Sequence, residues 1–105
     1  MLPPEIVSPI VTADAFAGRV ASHLRGIASA EMVCVRDRPW GFECWIVVNR
    51  STEDERFRLY DIEWQMMEEE PGIGFKFHLV DRLGSPLSEA LTTETTDSIA
   101  NVHER

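Results

Sequence analysis

Ser51-Thr-Glu-Asp-Glu-Arg-Phe-Arg-Leu-Tyr-Asp-Ile-Glu-Trp-Gln-Met-Met-Glu-Glu-Glu70 can be read as a helix or as a strand, and each reading builds a different molecule. As a helix, it begins at a capping box: Ser51-Thr-Glu-Asp54 and Thr52-Glu-Asp-Glu55 both place an acid three residues after a hydroxyl. Phe57, Tyr60, Trp64 and Met67 then form one apolar stripe, and Leu59, Ile62 and Met66 a second, roughly 135° away at about 100° per residue. As a strand, Ile62, Trp64 and Met66 alternate with Glu63 and Gln65. The caps, the run of good helix formers and the Pro71-Gly72 stop favour the helix. A helix apolar on two stripes is expected to be covered on two sides.

Upstream, Met32-Val-Cys-Val-Arg36 and Phe42-Glu-Cys-Trp-Ile-Val-Val-Asn49 are β-branched runs separated by the turn cluster Asp37-Arg-Pro-Trp-Gly41. They read as an antiparallel hairpin. Before it, Phe16, Val20, Leu24 and Ile27 recur at spacings of four, four and three, which predicts a helix from Thr12 or Ala13 to about Ala30. Ala13, Ala17, Ala21 and Ala28 keep that helix slim, and Gly18 and Gly26 suggest close packing. Downstream, Ile73-Gly-Phe-Lys-Phe-His-Leu-Val80 is a third strand, with Phe75, Phe77 and Leu79 on one face.

The termini read differently. Pro3, Pro4 and Pro9 make residues 1–11 an extended arm, and residues 84–105 a partly flexible tail with one short helical turn from Ser85-Pro86 to Leu91. Residues 12–83 are then one α+β domain, a two-layer sandwich in the order α-β-β-α-β with both helices on one sheet face. The strand-helix-strand crossover is expected to be parallel. The alternative, with 51–70 as a strand, is one helix plus a four-stranded antiparallel meander.

The sandwich leaves one sheet face open. On it fall Glu43, Trp45 and Val47 of the second strand, and Lys76, His78 and Val80 of the third. Apolar side chains gathered on an open face mark an interface, and tryptophan is enriched at binding hot spots. Trp45, Val47, His78 and Val80 are therefore expected to mediate self-association, giving a homodimer, or to bind a protein partner.

Charge supplies the second expectation. The chain carries 18 acids against 10 bases, a net of −8. Residues 52–70 hold eight acids against Arg56 and Arg58, so most of the excess lies in one segment. Glu53, Asp54, Glu55, Glu68, Glu69 and Glu70 are expected to form an acidic patch that docks a basic partner. Three acids at the end of a helix oppose its dipole and have no evident local role. The same charge argues against nucleic acid and anionic membrane surfaces as partners. No apolar run is long enough to span a membrane, the N-terminus lacks the basic start of a secretory signal, and two cysteines suit a reducing, cytoplasmic compartment.

Catalytic chemistry finds little purchase. Cys34, Cys44 and His78 are three soft ligands, but the spacing of a structural zinc site is absent, and no metal or other cofactor is expected. With a three- or five-residue hairpin loop, the two cysteines sit directly opposite each other. Ser22 and His23 are adjacent on a helix and do not face each other. No phosphate-binding glycine loop occurs, and Glu43 stands alone where metal-assisted phosphoryl transfer needs paired carboxylates. The one acid–base alternative is a groove holding Glu43, His78 and Asp81 beside Trp45. The reading favoured by sequence is a non-catalytic, acidic protein-binding domain; the alternative is a small enzyme or ligand-binding domain using that groove.

Overall fold

A computed structural model describes residues 12–86 and 97–103. The chain runs α1 (Ala13–His23), β1 (Ala30–Arg38), β2 (Gly41–Val48), α2 (Glu53–Glu69), β3 (Phe75–Asp81) and β4 (Ser98–Asn101). The strands form one mixed sheet in the order β3-β2-β1-β4. β1 pairs antiparallel with β2 and β4, while β2 and β3 pair parallel through the α2 crossover. The helices and first three strands thus follow the expected order, and the antiparallel meander is excluded because residues 53–69 are helical.

Two local signals fix α2. Of the two overlapping caps, Thr52 is the one used: its side chain accepts from Glu55 N at 3.1 Å, and Glu55 Oε1 accepts from Thr52 N at 3.0 Å. At the other end the chain turns through Pro71-Gly72 into β3. The entry to β3 explains two glycines at once. Gly41 has φ +144°, and a Cβ there would lie 2.0 Å from the carbonyl oxygen of Gly74. Phe42 N donates to that same oxygen at 3.0 Å, so the first rung of the parallel ladder requires a bare backbone at position 41.

The core lies between the sheet and the two helices. Phe16, Val20, Leu24 and Ile27 are all buried, against Val33 and Val35 of β1 and Phe42, Cys44, Ile46 and Val48 of β2. Leu59, Ile62 and Met66 of α2 join the same cluster. Phe16 stacks on Phe42 with ring centroids 4.8 Å apart. Both helices therefore cover one face, as expected of a two-layer arrangement.

Several expectations need correction. α1 ends at His23 rather than near Ala30, capped by Leu24; Leu24 and Ile27 stay buried in the turns that follow, held by Ile27 N to Leu24 O at 2.9 Å. Gly18 faces open space, so close packing does not explain it. The hairpin turn is only Pro39-Trp40, with Arg38 opposite Gly41. Residues 98–101 belong to the sheet rather than to a tail, and the contact of Ser98 Oγ with Asp14 ties β4 to α1. The arm at 1–11 and most of the short turn at 85–91 lie outside the described residues. Among the described residues, no helix is long and apolar enough to cross a membrane.

Candidate functional site

The sheet face turned away from the helices brings most of the expected residues together. The parallel register sets Glu43 beside Lys76, Trp45 beside His78 and Val47 beside Val80. His78 Nε2 lies 2.7 Å from Glu43 Oε2, and its ring stacks on Trp45 at a centroid distance of 5.2 Å. Arg38 Nη2 lies 2.7 Å from Glu43 Oε1, so the carboxylate is held between a guanidinium and an imidazole. The Arg38 hydrogen bond, followed by that from His78, pulls the Glu43 carboxyl below the usual carboxylate range. Trp45, His78 and Val80 are partly exposed, whereas Val47 is fully buried and is not available as a contact residue.

Asp81 does not join this group. Strand alternation puts it on the other face from His78, and its carboxylate is used by the backbone. It accepts from Arg50 N at 2.7 Å, Ser51 N at 2.9 Å, Ser51 Oγ at 2.9 Å and Leu83 N at 2.9 Å. Arg50 and Leu83 are the two non-glycine residues with positive φ among the described residues, so Asp81 clasps two strained turns. Burial pushes this carboxyl up, but the four donors outweigh it and hold it at about 2.

The thiols are separated by the short turn. Cys34 pairs with Trp45 and Cys44 with Val35, so the two cysteines point to opposite faces and not at each other. Both are free and buried, and burial pushes both thiols up. Among the described residues, no group of three or more His, Cys, Asp or Glu side chains is arranged to hold a metal ion.

The acidic segment divides between the ends of α2, which are about 24 Å apart at 1.5 Å per residue. Glu53, Asp54 and Glu55 sit in the first turn, where the dipole favours them, and Glu55 closes the cap. At the far end the acids have local roles after all. Glu70, only 6% exposed, pairs with Arg19 of α1; Glu69 Oε1 lies 3.2 Å from His23 Nε2; and Glu68 accepts from Trp64 Nε1 at 3.1 Å. The first two contacts fasten the end of α2 to α1 and offset the unfavourable dipole, while the third lies within α2 itself.

A surface expected to be covered is instead open. Leu59, Ile62 and Met66 are buried, but Phe57, Tyr60, Trp64 and Met67 are 56%, 61%, 63% and 49% exposed. A two-layer fold covers one side of α2, so its second stripe faces outward. Between α2 and the sheet lies a groove of about 370 Å³, lined by Leu59, Tyr60 and Glu63 of α2, Ile46 of β2, and Phe77, His78 and Leu79 of β3. Tyr60 belongs to both the stripe and the groove, which makes them one continuous surface. The sequence signal for the stripe was its spacing; what spacing does not report is the number of layers around the helix. No family model matches the chain, and no curated protein or solved structure is significantly similar to it.

Proposed function

We propose that this chain is a non-catalytic domain that binds a protein partner through the outer face of α2. The observation that carries the reading is the exposure of four large apolar side chains, Phe57, Tyr60, Trp64 and Met67, along about 15 Å of one helix. Helical spacing sets Asp54, Asp61 and Glu68 along one border of this stripe and Glu63 along the other. An apolar strip edged by carboxylates complements a partner whose apolar contact is edged by Lys and Arg.

Magnitudes limit what the stripe does alone. At roughly 100 Å² of exposed surface per side chain, burying it yields a gross gain of about 10 kcal/mol. Association entropy opposes that by about 4–15 kcal/mol. The stripe therefore sustains a weak contact, and a tight one needs adjoining surface.

The chemistry elsewhere supports a non-catalytic role. A carboxylate held low by Arg38 and His78 is a weak base, and thiols raised by burial are poor nucleophiles. Two free, buried thiols also suit a reducing compartment. A second contact, self-association through Trp45, His78 and Val80, is favoured by the Trp45–His78 stack on the sheet face turned away from the helices. The test is the doubly substituted F57S/W64S chain in its native host. A stoichiometric partner that copurifies with the wild type and is lost from the variant supports the reading, and equal recovery from both overturns it.

A further inference from the structure

The free edge of β3 adjoins the groove beneath α2, and the backbone register says which of its groups are unpaired. Phe42 N donates to Gly74 O at 3.0 Å, and Arg82 N donates to Val48 O at 2.9 Å. With the two-residue period of a strand, the even-numbered residues of β3 turn their N–H and C=O groups toward β2. Phe75, Phe77 and Leu79 therefore aim theirs at the outer edge, where no strand pairs with β3 among the described residues. The side chains of these same residues lie on the helix face, and Phe77 and Leu79 line the groove together with Leu59, Tyr60 and Glu63.

We infer that this edge and groove accept an extended segment of a partner protein as a fifth strand, carrying an aliphatic residue and a Lys or Arg at alternate positions on one face. Strand addition satisfies the backbone groups of Phe75, Phe77 and Leu79, and a neighbouring pocket selects alternate side chains. The aliphatic side chain enters the groove against Leu59 and Leu79. Two residues along, about 6.6 Å away, the basic side chain meets Glu63. Glu63 has no ion-pair or hydrogen-bond partner among the described residues, unlike Glu43, Glu55, Glu68, Glu69 and Glu70. A second copy of this chain is the poorer occupant: two-fold pairing of β3 with itself brings Glu63 toward its own counterpart, in a chain of net charge −8. The inference rests on the protein-binding reading but uses surface beyond the α2 stripe.

The test is selection of a random peptide display library on the full-length chain, on E63K and on L79E, with the fold of each checked by circular dichroism. Both substitutions fall on partly exposed side chains. The wild type is expected to enrich peptides with an aliphatic residue two positions from Lys or Arg. E63K should shift the basic position to Asp or Glu, and L79E should abolish enrichment. In the best peptide, N-methylation of the amides that face β3 should weaken binding at least tenfold, while N-methylation at the intervening positions leaves it unchanged. Absence of enrichment, a consensus unaltered by E63K, or equal tolerance of both methylation patterns overturns the inference. So does a chain that is dimeric by sedimentation and becomes monomeric on L79E, since the second copy then occupies the edge. Loss of the partner from F57S/W64S alongside a failed selection removes the groove while leaving the α2 reading intact.

Discussion

Trp64 donates its indole N–H to Glu68 one helical turn later, Nε1 to Oε2 at 3.1 Å, on the outward face of α2. The polar atom of the largest exposed side chain is thus satisfied within its own helix, and the ring remains as apolar surface. A tryptophan held this way loses less rotamer freedom when a partner arrives, which is how aromatic residues anchor an interface at low entropic cost. The same pair puts a carboxylate at the border of the stripe, where a basic group on the partner would meet it.

The two stripes of α2 should separate in unfolding measurements. Met66 is fully buried, so M66A is expected to cost about 2–5 kcal/mol through lost burial and the cavity it leaves. Phe57 and Trp64 are more than half exposed, and F57S or W64S should stay within about 0.5 kcal/mol of wild type. Urea denaturation followed by circular dichroism checks both. A large loss from F57S would mean that the outer stripe is packed.

Asp81 should make the fold acid-sensitive at its β3–loop junction. Its carboxyl sits at about 2 in the folded chain against 3.8 when free, so its contribution is fully present above the free value. That contribution is lost as pH falls from about 4 through about 2. At pH 7, D81N is expected to cost about 1–3 kcal/mol, because one amide oxygen replaces a carboxylate that serves four donors. The stability difference between wild type and D81N should shrink across the same acid window. A difference independent of pH would refute the assignment.

Both thiols should be silent until the chain unfolds. Cys34 and Cys44 are buried on opposite faces of the hairpin, and burial disfavours their thiolates. At pH 8, a disulfide reagent such as dithionitrobenzoate should label neither in the native chain and both in denaturant. Oxidation of the native chain should yield no intramolecular disulfide, since the register opposes Cys34 to Trp45 and Cys44 to Val35. Rapid native labelling would contradict this placement.

Self-association through the sheet face turned away from the helices should depend on Trp45. W45A removes the ring that stacks on His78 and should lower the mass seen by sedimentation equilibrium, while V47A should not act through contact because Val47 is buried. An unchanged mass for W45A would exclude this face as the self-contact.

Much of the fold was legible wherever a local pattern and a long-range contact agreed. Phe16 and Val20 carried the α1 stripe, Thr52 and Glu55 the start of α2, and the alternation about Phe77 the third strand, whereas Leu24 and Ile27 are buried beyond the end of α1. β4 was not legible, because Ser98-Ile-Ala-Asn101 is four residues in a polar tail and its place is set by pairing with β1 and by the Ser98–Asp14 contact. The Glu43–His78 pair could be anticipated from strand faces alone. Arg38 could not be placed beside it without the two-residue turn that brings the end of β1 against the start of β2. The α2 stripe was visible as a spacing, but whether a stripe is covered depends on the number of layers, which no local window contains.

The most direct test of the account puts a photo-crosslinking amino acid at position 64, and separately at position 45, in the chain expressed in its native host. Position 64 is expected to capture one protein partner whose crosslinked segment is apolar and basic, with the adduct lost on E68K together with D61K. An adduct from position 45 alone, or adducts at position 64 only with further copies of this chain, would contradict it.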